Sequence, residues 1–344
     1  MKRLGLLGTI VYWANICVAL LLLLSFVLPY LPPKTFSSIT LLSLVVSPLI
    51  LLNLFFAIYW CFRWKRKAFL SGVLVAFSFF HFNPFFELSS EGDASAYEHT
   101  LKILTYNVRL FNAYETNPSE DVLASFSTLV NSENPDVICI QEFYRETHLT
   151  IPEYPYQYVH FRNNEVKLGH AIYSKYPLQN TGAFDFKDSN NNTIYADVVK
   201  GSDTLRVYNL HLQSLGILPS VTYLQGGDKE RIRKRMTETF KRQQTQVEAI
   251  LEHAKIAPFP VILSGDFNNT PYSYTYHQLT NHYKDAYVER GNGLGTTFKF
   301  DGYPMRIDYI MTSEMLEVVT FETIKESFSD HYPLSATLGW SKKD

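Results

Sequence analysis

Three apolar runs fill the first quarter of the chain, and they decide which solvent that quarter needs. The first extends from Ile10 to Leu28 with only Asn15 and Ser25 interrupting it, the second from Ile39 to Phe62 without a charge, and the third from Ala68 to about Phe82. A helix that crosses a bilayer needs about 20 apolar residues. The first two runs meet that length, and the third does so only by continuing through Asn83-Pro84 to Phe86. Lys2 and Arg3 resemble the basic start of a cleaved leader. The apolar stretch, however, exceeds the roughly 7–15 residues of such leaders, and Pro29-Tyr30-Leu31-Pro32-Pro33 makes a poor cleavage site. A three-helix transmembrane anchor over residues 1–86 is therefore expected, with spans at about 8–30, 38–62 and 67–86, in preference to a leader or a buried soluble helical domain.

Basic residues orient the anchor. Lys2 and Arg3 precede the first span, Arg63, Lys65, Arg66 and Lys67 crowd the second loop, and the first loop holds only Lys34. Lys and Arg favour cytoplasmic loops, so the amino terminus and second loop are expected inside and the rest of the chain outside. This architecture points to a bacterial inner membrane with a periplasmic domain. Residues 87–99 read as a polar linker, and 100–344 as a soluble domain. The chain has 344 residues with a net charge of −2, but residues 1–99 hold only 7 of the 31 Lys+Arg and 4 of the 33 Asp+Glu. The remainder therefore carries 24 basic and 29 acidic residues, a charge of −5, which excludes a strongly basic nucleic-acid packager. An apolar content of 46% with 15% aromatics excludes a disordered chain, and three cysteines make no disulfide framework.

Beyond Leu101, β-rich segments recur at Lys102–Val108, Val137–Gln141, Tyr156–Phe161, Ala171–Tyr173, Thr193–Val199, Leu205–Leu212, Val261–Leu263 and Arg306–Met311. Some alternate; Val137-Ile138-Cys139-Ile140 is apolar throughout, as suits a strand buried on both faces. A helix is expected from about Asp228 to Ala254, with Ile232, Met236, Phe240, Val247 and Leu251 on one stripe. Polar residues gather where strands end: Asn107 after Leu104-Thr105-Tyr106, Glu142 after Ile140-Gln141, and His211 after Asn209-Leu210. Asp266 and Asn268 follow in Gly265-Asp266-Phe267-Asn268, then Asp308, and then Ser329-Asp330-His331. Each alone is an ordinary turn or cap residue. In this order, together with Gly265-Asp266-Phe267-Asn268 and Ser329-Asp330-His331-Tyr332-Pro333, they resemble the endonuclease/exonuclease/phosphatase superfamily over about Leu101–Leu338.

That resemblance implies an α/β fold: a two-sheet β-sandwich flanked by helices, four-layered and deoxyribonuclease-like, here preceded by the anchor. It also implies hydrolysis of phosphodiesters. A hard divalent cation takes carboxylates, waters and phosphate oxygens, so Glu142 is the ligand candidate for Mg²⁺ or Mn²⁺, with Asn107 and Asp330 flanking the ion or its waters by resemblance. Asp266 is expected to orient or deprotonate the attacking water, Asn268 to bond a phosphoryl oxygen, and His331 to contact the phosphate with Asp308 fixing its tautomer. His211 stands near the leaving group as a candidate general acid. His170, in Gly169-His170-Ala171, is a weaker candidate. Asn191 and Asn268 open glycosylation sequons, both discounted. Gly291–Phe298 lacks the Lys of a phosphate-binding loop and reads as a flexible loop at the cleft rim.

The expected substrate is a phosphodiester of nucleic acid or, alternatively, of a lipid headgroup, phospholipid or sphingomyelin included. A second class is a non-catalytic tethered binding protein of the same fold, against which the intact polar set argues. Abasic-site repair fits poorly with an outward-facing domain, and Arg109 stands where that branch carries an acid. The segment Lys229–Arg242 is rich in cations; it reads as a solvated helix face or as a surface that steers anionic substrate and docks on headgroups.

Overall fold

Alternate residues of the central strands face different partners, and this alternation builds the layers. The computed structural model describes residues 5–63, 66–82, 86–115, 121–187, 189–216, 221–301 and 303–342. Lys65 of the basic loop and Asn83-Pro84 lie outside them. The strands of the two large sheets are β1 (Tyr97–Asn107), β2 (Val137–Tyr144), β3 (Tyr156–His160), β4 (Leu168–Ser174), β5 (Leu178–Phe184), β6 (Thr193–Lys200), β7 (Asp203–His211), β8 (Val261–Asp266), β9 (Lys284–Asp285), β10 (Asp308–Thr312), β11 (Glu317–Thr323) and β12 (Leu334–Lys342). One sheet runs β11-β12-β1-β2-β4-β3, the other β9-β10-β8-β7-β6-β5. Leu101, Ile103, Val137 and Cys139 pack against Ile194, Val207 and Ile262 between the sheets. The residues next to them, Leu104, Ile138 and Ile140, turn outward onto Phe126 and Val130. Tyr208, Leu210 and Leu263 turn outward from the second sheet onto Val247 and Ile250. The result is helix, sheet, sheet, helix, as the resemblance implies, and it explains why Val137–Ile140 shows no polar alternation.

Each sheet has one parallel pair at its centre, β1 with β2 and β7 with β8. A parallel pair needs a crossover connection. The first is helix Val122–Glu133, with Asp121 accepting from the Ala124 N–H as its cap, and Asn134 closing it at φ 46°. The second is helix Lys229–Lys255, capped by Asp228. Both crossovers return the chain so that the two strands of each pair end at the same edge.

The apolar runs form helices Leu6–Ser25, Val46–Phe62 and Ala68–His81, the second preceded by a 3₁₀ stretch at Ile39–Val45. Among the described residues, two segments have the length and composition to cross a bilayer, Leu6–Tyr30 and Ile39–Phe62. The helix within the expected third span, 67–86, is apolar but short, with 14 residues, roughly 21 Å at 1.5 Å per residue against a hydrocarbon core of about 30 Å. Phe86 instead begins a strand, Phe86–Leu88, paired antiparallel with Asn292–Leu294. The expected polar linker, 87–99, is held against the sandwich. Glu87 pairs with Gly293, the Gly92 N–H donates to the Val319 carbonyl at 2.7 Å, and β1 has already begun at Tyr97.

The three helices bury polar groups. The Trp60 indole donates to Asn15 Oδ1 at 2.9 Å, and Asn15 Nδ2 donates to Ser71 Oγ at 2.5 Å, so one buried amide ties all three. The sandwich rests on one end of the bundle, where Phe26 meets Phe82 and Phe82 meets Tyr272. Lys67, over the Tyr12 ring, marks the other end.

Candidate active site

The carboxyl ends of the two central parallel pairs meet at one edge of the sandwich, with Asn107 level with Gln141 and His211 level with Asp266. Buried amides lock the sheets together just beneath. Asn209 donates to the Ile140 and Ala171 carbonyls, both at 2.9 Å, and accepts from Gln141 Nε2 at 2.6 Å. Strand geometry alone would point Glu142 away from this edge. It takes φ 55° instead, at an irregularity between Ile140 and Phe143, and such a bulge re-aims the side chain it carries. Asn107 Nδ2 donates to Glu142 Oε1 at 3.2 Å and to Asp266 Oδ2 at 3.0 Å, while its Oδ1 accepts the Arg109 N–H at 3.0 Å. Asn107 thus bridges two carboxylates.

Asp266 ends β8 and is fully enclosed. Gly265 before it sits at φ 135°, and any side chain there would strike the Leu210 carbonyl, which is why glycine precedes this aspartate. Asn268 donates its N–H to Asp266 Oδ1 at 2.8 Å and its amide to Oδ2 at 3.1 Å. His331 Nδ1 lies 3.0 Å from both oxygens of Asp308, and its Nε2 is 3.7 Å from Asp266 Oδ2. Ligand atoms of Asp266, Asp308 and His331 all lie within 4.8 Å of one another. Asp330 stands at the margin, 4.0 Å from Arg109 Nε. The eight residues expected from the sequence therefore converge on one edge.

Burial sets their charges. It raises Glu142, with His331 and Asn107 only partly opposing the shift, and raises Asp266 well above the usual carboxylate range. Burial alone would depress His331, but Asp308 and Asp266 on either side hold its imidazolium up to about 10. His211 is driven well below its ordinary value by burial and by His170 and His331, and His170 falls to about 3 through burial. The site thus gathers four carboxylates, Glu142, Asp266, Asp308 and Asp330, around one buried imidazolium. That excess of oxygen donors and negative charge fits a hard divalent cation at the Glu142 side. On the other side, the His331 imidazolium lies between Asp308 and Asp266 and offsets one unit of their charge.

Several contributors carried no signal in the sequence. Asn191, discounted as a sequon, donates Nδ2 to His211 Nε2 at 2.8 Å. Ser329 Oγ donates to the Asn107 carbonyl at 2.8 Å and so clips the Asp330-His331 loop to β1. Thr297 Oγ1 accepts the Asp308 N–H at 3.0 Å. His170 does reach the site, its ring 5.3 Å from that of His211. The flexible rim loop expected over Gly291–Phe298 is corrected: Asn292–Leu294 pairs with Phe86–Leu88, Phe298–Phe300 forms a hairpin with Tyr303–Met305, and the Phe298 ring centroid lies 4.7 Å from that of His331.

Residues 104–331 match the family model for endonucleases, exonucleases and phosphatases, and residues 8–85 match that of a domain of unknown function. No curated protein matches the chain. Among solved structures, an endonuclease/exonuclease/phosphatase from Beutenbergia cavernae aligns with a TM-score of 0.55 at 17% identity, covering 71% of this chain and 72% of its own. One from Bacteroides vulgatus aligns at 0.53 and 19%, covering 71% and 100%. Truncated Caenorhabditis elegans TDP2 aligns at 0.51 and 17%, covering 71% and 99%. At these identities the likeness is one of fold.

Proposed function

The chain belongs to the endonuclease/exonuclease/phosphatase family, and from that premise we propose that it is a divalent-metal-dependent phosphodiester hydrolase tethered to a membrane. The observation that carries this reading is the convergence of Glu142, Asp266, Asp308 and His331 around Asn107 at one sandwich edge. Glu142 would hold Mg²⁺ or Mn²⁺, with Asp330 and Asn107 at its waters. When bound, such an ion neutralises charge on the phosphoryl oxygens. Asp266, gripped by Asn107 and Asn268, positions the attacking water and takes its proton. His331, oriented by Asp308, presents Nε2–H to a phosphoryl oxygen, and Asn268 presents its amide to another. The general-acid role expected of His211 narrows. Its Nε2, which faces Glu142 and Asp266, accepts from Asn191, and an imidazole kept neutral by burial carries no proton there to release, so His211 lines the leaving-group side and the leaving oxygen draws its proton from solvent.

A purified full-length chain should hydrolyse bis(4-nitrophenyl) phosphate with Mg²⁺ or Mn²⁺ and stop on chelation. A chain that folds, binds metal and leaves this ester intact is a binding protein of the same fold.

Tethering is supported by the burial pattern of the bundle. Leu6, Phe62 and Phe80 are 82%, 83% and 85% exposed, while Asn15 and Asn53 are fully buried, the distribution a lipid solvent favours. Lys67 marks the end away from the sandwich, in keeping with a cytoplasmic basic loop and an external, periplasmic domain. An alkaline phosphatase fused after Asp344 should then be active; an inactive fusion with a fluorescent cytoplasmic counterpart reverses the orientation.

A further inference from the structure

A cavity of about 320 Å³ lies between the bundle and the sandwich, within the roughly 300–1,000 Å³ range of small-molecule sites. Its bundle wall is Leu44, Val45 and Pro48, where the second apolar helix begins, and its sandwich wall is the rim hairpin with Phe298 and Phe300. Met236 of the long helix completes it. The cavity ends at the catalytic edge. Asn268 lines it and also donates to Asp266 Oδ2 at 3.1 Å, and Phe298 lines it while packing on His331. An apolar channel therefore leads from the start of a candidate membrane span to the groups that would hold a phosphoryl oxygen.

The mouth is cationic. The Arg235 guanidinium packs directly over Gly216, a lining residue, and Arg233 Nη1 donates to Ser38 Oγ at 2.9 Å, one residue before the 3₁₀ stretch. Arg231 and Lys234 are exposed on the same turns. These cations lie level with the beginning of the apolar helix, where a bilayer carries its headgroups. A nucleic acid needs an open, polar, cation-lined groove; a chamber walled by Leu44, Val45, Phe300 and Met236 offers none.

We propose that the substrate is an amphiphilic phosphodiester drawn from the bilayer, its hydrocarbon chain in this cavity and its phosphodiester at Asp266, Asn268 and His331. This rests on the phosphodiesterase reading above. The water oxygen bonds to phosphorus, the bond from phosphorus to the leaving oxygen breaks, and a phosphomonoester and an alcohol leave, with no further reactant.

The test uses the full-length chain in non-ionic detergent with Mg²⁺ and the methyl, butyl and octyl esters of 4-nitrophenyl phosphate. Full burial of a methylene corresponds to roughly a fourfold gain; with partial burial, kcat/KM should rise at least tenfold from methyl to octyl. Met236→Trp and, separately, Val45→Trp fill the cavity and should bring the octyl-to-methyl ratio, measured within each enzyme, close to one. A gain that persists in both variants arises from the micelle and overturns the proposal, as does a flat series with efficient cleavage of plasmid DNA or RNA. If the wild type cleaves no ester of the series, the phosphodiesterase reading fails by itself. The cavity is then judged by photolabelling with a diazirine-bearing hexadecyl phosphate. Label on Leu215 or Phe300, displaced by hexadecyl phosphate, supports the chain site, and label confined to outward bundle residues overturns it.

Discussion

In the helical bundle Asn15 and Asn53 are fully enclosed while Leu6 and Phe80 face outward; in the sandwich Leu101, Val137 and Ile262 are enclosed, and polar groups collect at one edge. Both regions nonetheless use a buried asparagine as a pin. Asn15 joins three helices through Trp60 and Ser71, and Asn209 joins two sheets through Ile140, Ala171 and Gln141. The difference lies in what surrounds the pin. Between the sheets, apolar burial from water supplies the driving force, and the amides fix register next to the site. For a bundle placed in lipid, as proposed above, apolar contact between helices gains little over contact with acyl chains, which leaves packing and the polar bonds themselves to hold the helices together.

The largest effect expected separates chemistry from scaffold within the sandwich. Asp266→Asn keeps size and one acceptor oxygen, sets an NH₂ against the Asn107 and Asn268 donors in place of the other, and removes the proton acceptor, so kcat on bis(4-nitrophenyl) phosphate should fall about 10³-fold, within the range for a lost general base. Circular dichroism should show the fold retained. A loss under tenfold would place the base elsewhere.

Glu142→Gln comes next. It keeps size and the bond to Asn107 but removes one charge from the oxygen-donor side. Half-saturation by Mg²⁺ should shift upward by about 10–100-fold, the scale on which perturbed metal sites lose affinity, with turnover partly restored at high Mg²⁺. Full activity at low Mg²⁺ would separate Glu142 from the metal.

The two pins then test the comparison directly. Asn209→Leu strands the Ile140 and Ala171 carbonyls and Gln141 in the dry interior, where an unsatisfied group costs about 1–3 kcal/mol; a total of roughly 3 kcal/mol is expected. Asn15→Leu should cost about 0.6–1.7 kcal/mol, the range for polar contacts between membrane helices. Hydrogen exchange resolved by segment, in lipid nanodiscs, reads both regions in one sample. Equal costs would mean that the bundle is solvated as the sandwich is.

Much of this was legible in the sequence because it rests on short-range pattern. Val137–Ile140, apolar throughout, announced a strand covered on both faces, and Gly265-Asp266-Phe267-Asn268 announced an edge loop whose glycine the Leu210 carbonyl requires. What escaped depends on contacts between distant segments. Asn191 reaches His211 only because β6 and β7 pair, and Thr297 reaches Asp308 only through the rim hairpin. Residues 87–99 read as a polar linker because their polarity is visible, whereas their pairing with Asn292–Leu294 and Val319 is not. The third helix is shorter than its apolar run suggests, since apolar character continues past His81, where the helix stops.

The smallest effect concerns the long helix at the seam between the two regions. Gln243 and Gln246 bind the loops at Gln213 and Asn268, and Gln244 and Glu248 hold Lys34 of the bundle, so its middle is structural. Arg233 is engaged by Glu230 and Ser38, and Lys241 by Glu238. Arg231, Lys234 and Arg235 face outward on the first turns, near the level where the bundle begins. Exposed charges act over about a Debye length, roughly 8 Å at 0.15 M salt and 3 Å at 1 M. Replacing all three by Gln should therefore raise KM for substrate in anionic vesicles several-fold at low salt and leave it unaltered near 1 M. In neutral vesicles the same variant should match the wild type. If KM rises equally in neutral and anionic vesicles, the three residues shape the cavity mouth sterically and the helix belongs to the sandwich alone. If nothing changes in either, the basic turns are a solvated face, and the two regions meet without a shared electrostatic surface.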